Sequence, residues 1–260
     1  MKTLLRALLI ALLATPAVGL MACATTSQFE ELEYADQAEY LYRQGERSME
    51  RRDFLQAMSR FNTIRNEYAY SRWAPLANLR IADAYYEQDM YASAVQQYRA
   101  FMQLYPRHEK VEYAHWQVAR AFYSQMPSEF FILPPSYERD LSSTHDAVRE
   151  LRIFLRRFEN SEYSDEAIQK LRRALRTLAD HEFYVATYYL DRDNPRATAN
   201  RLTYLLRNYS GLGLDPEALF LLGKAYLQLD DADRARTAWL DLVETYPDHP
   251  RSAEVQPHVQ

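Results

Sequence analysis

One spacing recurs five times along these 260 residues and limits what they can fold into. The stretch Tyr91 to Pro106, YASAVQQYRAFMQLYP, has a small residue at Ala94, aromatics at Tyr98 and Phe101, and a closing Tyr105-Pro106. Residues three and four apart share a helix face, so these anchors predict one amphipathic helix that the proline stops. Counting back eleven, seven and four from other closing aromatics finds the same set. Tyr68 gives Ala57, Phe61 and Ile64, and Phe158 gives Ala147, Leu151 and Phe154. Tyr209 gives Thr198, Leu202 and Leu205, and Tyr246 gives Ala235, Trp239 and Leu242.

A first half precedes three of these helices. Twelve residues before the small anchor stands another small residue, Gly45, Ala82 or Gly223, and Tyr85 and Tyr226 follow two of them by three. Two small residues let paired helices approach closely, and the aromatics fill the space against the next pair. This order resembles the tetratricopeptide repeat. The resemblance implies an all-α, right-handed α-solenoid of about five helix-turn-helix repeats, since one such unit cannot bury its apolar face alone. The scarcity of glycine, five in all, suits a helical chain.

Two intervals depart from the 37 residues separating Tyr68 from Tyr105. Repeat 3 carries sixteen extra residues around Met126 to Ser142, including Phe130-Phe131-Ile132-Leu133-Pro134-Pro135, which predict a loop that is not simply solvated. Repeat 4 carries fourteen extra, about Ile168 to His181, without proline or glycine. Fourteen residues are close to four turns, so one long helix is expected from about Asp165 to Leu190. Asp36 with Glu39 reads as a capping box, and Pro75 suits a first helical turn. Asp191-Arg192-Asp193 and Asp230-Asp231 read as turn and cap residues. The tail to Gln260 reads as a short helix or a frayed end.

The N-terminus has a different logic. Lys2 and Arg6 precede an apolar run, Ala7 to Ala14, and Leu20-Met21-Ala22-Cys23 follows. That is a secretory signal over residues 1–22, too short to span a bilayer. Its Leu-x-Ala-Cys ending resembles a bacterial lipobox, with Met21 where a small residue is usual. The resemblance implies that Cys23 carries a diacylglycerol and an N-acyl chain, and that residues 23–34 are a lipidated tether. By resemblance to sorting rules in enteric bacteria, Ala24 after the cysteine favours the outer membrane, periplasmic face.

The composition argues against several functions. Cys23 is the single cysteine, which excludes an intrachain disulfide and a cysteine zinc site. No two of the six histidines stand three or four apart, and no glycine-rich phosphate loop exists. No catalytic constellation, metal site or non-covalent cofactor is therefore expected. Net charge is −5, more negative still without Lys2 and Arg6, which argues against nucleic acid.

A repeat solenoid is more often a binding scaffold. Projecting the inner positions of the first helices places Tyr42, Tyr86, Tyr113, Trp116 and Tyr123 on a groove in repeats 1–3. Tyrosine and tryptophan are common interface anchors, so this set predicts a peptide groove. The C-terminal repeats project a less aromatic surface, which points to a different partner.

Further stretches sharpen the resemblance: Phe101 to His108, Val111 to Ala114, Glu138-Arg139-Asp140, His181 to Ala186, and Asn200-Arg201-Leu202. With the lipobox, the five repeats, the repeat 3 loop and the long helix, the chain resembles the BamD family of the outer-membrane β-barrel assembly machinery. Ser210 departs from the proline usual after the fourth closing tyrosine. The resemblance implies that repeats 1–3, residues 35–160, recognise unfolded barrel proteins. Repeats 4–5, residues 161–260, would dock on the last periplasmic domain of BamA, with Arg201 and its neighbour Asn200 in the contact. Other assembly lipoproteins stay open as further partners. Another tetratricopeptide envelope lipoprotein, such as a pilotin or a cell-envelope coordinator, is the alternative; generic repeat arrays lack the repeat 3 loop and the His181 to Ala186 stretch.

Overall fold

The computed structural model describes residues 33–127 and 134–259. Cys23, the signal, most of the tether and the Phe130 to Leu133 run lie outside the described residues. Among the described residues the chain is helical, with no strand. Repeat 1 is α1 (Tyr34–Glu50) and α2 (Phe54–Glu67), and repeat 2 is α3 (Trp73–Tyr86) and α4 (Tyr91–Leu104). Repeat 3 is α5 (Val111–Ser124) and α6 (Ser142–Arg157), with a 3₁₀ turn at Ser136–Glu138 between them. Repeat 4 is α7 (Ser164–Leu190) and α8 (Pro195–Tyr209). Repeat 5 is α9 (Asp215–Leu227) and α10 (Ala232–Thr245), followed by α11 (Pro250–Val259). Contacts divide the chain into two compact bodies, one through Tyr105 and one from Pro106.

The repeat anchors form the cores. In the first body Ala57, Phe61 and Ile64 are fully buried with Ala38, Ala74 and Ala77. Each large apolar side chain so buried contributes about 1.5–3 kcal/mol. Gly45 is needed because an added Cβ would lie 2.5 Å from the Phe61 ring. Ala82, Ala94, Tyr98 and Phe101 are likewise buried in repeat 2. In the second body Ala147, Leu151 and Phe154 join Trp116 and Ala119, and Leu202 and Leu205 join Ala186, Ala218 and Leu222. Thr198 serves as a small anchor because its hydroxyl donates to the Ala186 carbonyl, 3.3 Å, or the Asn194 carbonyl, 3.1 Å. Gly223 lets Trp239 pack close enough for its indole N–H to reach the Phe220 carbonyl at 3.1 Å.

Four of the five repeats turn between their helices in the same way. Arg52, Asp89, Asp193 and Asp230 take positive φ, between 54° and 59°. The amide that follows each one bonds back to the carbonyl five residues earlier, at 2.9 to 3.0 Å. That is the Schellman way of closing a helix. Asp53, Asn194 and Asp231 then cap the second helix, each accepting a backbone amide. Asp230 and Asp231 thus have the turn and cap roles expected of them. In repeat 3 the insertion replaces this turn.

The long helix is present as expected, from Ser164 to Leu190. Its first half packs on α6 through Ala167, Leu171, Ala174 and Leu178, and its second half packs on α8 through Phe183 and Ala186. The repeat 3 insertion lies against it: His181 Nδ1 donates to the Tyr137 carbonyl at 2.6 Å, and the Tyr137 and Tyr184 rings are 5.5 Å apart. The tail is a helix that buries Val255 and Val259 against repeat 5. The capping-box reading of Asp36 is corrected. Helix α1 begins at Tyr34 after an extended Glu33 (φ −64°, ψ 156°), which places Asp36 inside the first turn without a capping role. There its charge still favours the helix N-terminus.

Candidate functional site

In the first body, Tyr42 is half-buried, with its ring 5.6 Å from Phe61 and 4.8 Å from Trp73. Burial, and then the charge of Glu46, pushes its hydroxyl pKa up to about 12. Beside it, Arg80 donates Nε and Nη2 to Glu46 at 2.6 and 3.1 Å, and Nη1 to Asp83 at 2.9 Å. Tyr98 closes the group with a 2.6 Å bond to Asp83. Burial works against the Arg80 charge, but the bond to Glu46 and the charge of Asp83 outweigh it and hold the guanidinium protonated. Tyr86, at the end of α3, is half-buried and meets Tyr91 edge-on at 5.3 Å.

The other predicted groove residues lie in the second body. Tyr113 is half-buried, and its hydroxyl accepts from Gln117 at 2.6 Å. Tyr123 is half-buried under the Lys170 ammonium, 4.4 Å from the ring centre. Trp116 requires a correction. It is only 2% exposed, stacked at 5.6 Å on Tyr163 and packed at 5.4 Å on Phe154, so its ring is core and not a groove wall. The residue covering it, Tyr163, belongs to the entry of the next repeat, which position counting within a single repeat does not see.

The docking candidates lie on α8, and adjacent residues there point about 100° apart. Asn200 is exposed and lines a recess of about 320 Å³ with Arg196, Ala199, Tyr226, Leu229 and Arg234. Arg201, the next residue, donates Nη1 to Glu182 of α7 at 3.0 Å, an ion pair across repeat 4. The Arg201 side chain is 44% exposed and that of Glu182 only 12%. One turn along, Tyr204 exposes its ring beside the buried Tyr209. Burial, a hydrogen bond from its own hydroxyl to Tyr204, and the Glu182 charge all raise the Tyr209 pKa. The family resemblance singled out Arg201 but not Glu182 or Tyr204. Tyr204 could have been found as the i+3 neighbour of Arg201, and Glu182 as the lone acid of the His181 to Ala186 stretch. Among the described residues no helix is long and apolar enough to cross a membrane.

This protein is similar to known ones over most of its length. A family model described as YfiO, outer membrane lipoprotein, matches residues 34–242. The outer membrane protein assembly factor BamD of Caulobacter vibrioides is 26% identical over 221 residues, 85% of this chain and 70% of that one. BamD of Neisseria gonorrhoeae is 25% identical over 238 residues, 90% and 89% of the two chains. BamD of Xylella fastidiosa is 27% identical over 216 residues, 82% and 73%. The family match runs from the first residue of α1 into the last repeat and includes both departures from regular spacing, so the chain belongs to the YfiO/BamD family of outer membrane lipoproteins.

Proposed function

We propose that this protein is a non-enzymatic, lipid-anchored scaffold that assists the assembly of β-barrel proteins into the outer membrane. The observation that carries this reading is the family match over residues 34–242, together with relatives that are assembly factors. Acyl chains on Cys23 would hold the chain at the periplasmic face of the outer membrane. At about 0.8 kcal/mol per buried methylene, several chains suffice for stable anchoring. Replacing Cys23 by Ser removes the acylation site, and undiminished incorporation of labelled palmitate would refute the anchor.

Docking on the last periplasmic domain of BamA is assigned to α8. The exposed guanidinium of Arg201 suits a partner carboxylate, because its planar fork offers five donors and keeps its charge. Exposed Asn200 and Tyr204 extend that surface. Recognition of unfolded barrel segments is assigned to the half-buried tyrosines Tyr42 and Tyr86 of the first body and Tyr113 and Tyr123 of the second. Their rings give contact area at low entropic cost. Other assembly lipoproteins are open as additional partners. The decisive experiment is a pull-down from detergent-solubilised envelope with mass spectrometry. Recovery of BamA with barrel proteins supports the reading; recovery of a pilus secretin instead would assign the chain to another envelope system.

A further inference from the structure

Among the described residues Arg80 and Arg251 each bind two carboxylates, one of them across helices, while Arg201 binds one. Arg80 gives its Nε and Nη2 to Glu46 and its Nη1 to Asp83. Arg251 gives Nε to both oxygens of Glu217, at 3.0 and 3.1 Å, and Nη1 to Glu254 at 2.7 Å. In both, the Nη1 corner holds one carboxylate and the Nε side holds another, which lies 34 residues away in sequence. Arg201 repeats half of this arrangement. Its Nη1 is on Glu182, and its Nε and Nη2 have no partner among the described residues.

Glu182 is a well-placed holder. Its side chain is nearly buried, on a helix packed against both α6 and α8, close enough to Tyr209 to raise that hydroxyl's pKa. A long arginine on a helix surface otherwise samples many rotamers, and a partner must then order it on binding. One charge-assisted bond at Nη1 restricts that freedom and leaves the Nε–Nη2 edge of a part-exposed side chain unbonded.

We propose that Glu182 is a positioning residue for docking: it fixes the Arg201 guanidinium through Nη1 and presents the Nε–Nη2 edge, ready made, to the carboxylate of the partner. This rests on the assignment of Arg201 to the BamA contact. Glu182 itself touches no partner atom; it acts through Arg201. The opposite role, a competitor that must let go before docking, predicts the opposite sign.

The test is a double-mutant cycle on the full-length lipoprotein in detergent. The probe is the last periplasmic domain of BamA from the same bacterium, and binding is read by fluorescence anisotropy. Removing one restraint on a rotamer-rich side chain should weaken binding roughly three- to ten-fold in Glu182→Ala. Glu182→Gln, which keeps the volume and one acceptor oxygen, should lose less and guards against a folding defect in the alanine variant. In the Arg201→Ala background, Glu182→Ala should add no further loss, because there is nothing left to position. An equal loss in both backgrounds would make Glu182 merely structural and overturn the proposal. Tighter binding by Glu182→Ala would make it a competitor and overturn it too. If Arg201→Ala binds as tightly as the parent, the docking assignment itself fails. If Arg201→Ala weakens binding while Glu182→Ala does not, only the positioning role fails.

Discussion

Arg80 in the first body and Arg201 in the second are the same side chain in two situations. Arg80 is 29% exposed and its guanidinium is enclosed by Glu46 and Asp83, with Tyr98 behind. It joins α1 to α3 and has no fork left for anything else. Arg201 is more exposed and has one carboxylate where Arg80 has two. An arginine closed on both sides contributes to folding, and removing it strands buried acids. An arginine closed on one side contributes less to folding and keeps donors for a partner. If Arg201 docks as proposed, saturation of the guanidinium, more than its exposure, separates the two roles.

The largest effect expected from this difference is on the complex. Arg201→Glu should abolish co-purification with BamA, since breaking one side of a buried cross-interface pair costs about 2–5 kcal/mol. The isolated variant should keep its melting temperature within a few degrees. Loss of fold in the variant would erase the contrast, because Arg201 would then be structural as well.

Arg80→Ala sharpens the comparison from the other side. It takes the guanidinium away from Asp83, a buried acid, at a cost of about 1–3 kcal/mol. The matched Arg201→Ala should cost less, about 0.5–1 kcal/mol, because Arg201 itself is 44% exposed and holds one carboxylate where Arg80 holds two. Urea midpoints of the two variants check this, and equal midpoints would remove the distinction.

Acid should discriminate between the bodies as well. No histidine lies in the first body. In the second, burial and then the Arg157 charge lower the His115 pKa from 6.5 to about 4. The unfolded chain therefore takes up a proton on this group before the folded one does. The stability that follows is fully present above about pH 6.5 and is lost as pH falls towards 4, by about 1–3 kcal/mol after allowance for partial exposure. His115→Phe should flatten that part of the stability curve, as read by denaturation at a series of pH values. A curve unchanged by the substitution would show that His115 titrates normally.

The smallest effect concerns a turn. Asp231→Ala removes the cap accepting the Arg234 amide at 3.0 Å and should cost about 1 kcal/mol in thermal unfolding. Asp89→Ala in repeat 2, where Met90 makes no side-chain cap bond, should act through its positive φ and through loss of the 2.6 Å bond that the Tyr91 hydroxyl donates to it. Equal losses at both sites would mean that the backbone, and not the cap, dominates these turns.

The parts of this structure written as periodic patterns were readable in the sequence. Ala57, Phe61, Ile64, Ala94, Tyr98, Leu151, Phe154, Leu202, Leu205 and Leu242 are all buried where the spacing places them. Helix α7 runs where the absence of proline and glycine allows it. Individual side-chain contacts between helices were not readable. Trp116 is covered by Tyr163 from the following repeat, and Arg201 meets Glu182 nineteen residues away. Each contact depends on where a neighbouring helix begins and on how it is rotated. Asp36 shows the same limit at a helix end, because Tyr34 and Ala35 extend α1 past the residue that looked like its cap.

Helix α7 has a mechanical consequence. Its 27 residues make a rod about 40 Å long with no glycine or proline to bend it. Its first half carries Lys170 over Tyr123 in repeat 3, and its second half carries Glu182 against Arg201 in repeat 4. Torque applied at the Arg201 end is passed along the rod to repeat 3 instead of being absorbed between the two repeats. Any rearrangement within the second body must therefore carry repeats 3 and 4 as a single lever, and a pivot has to be sought in the short loops beyond its ends.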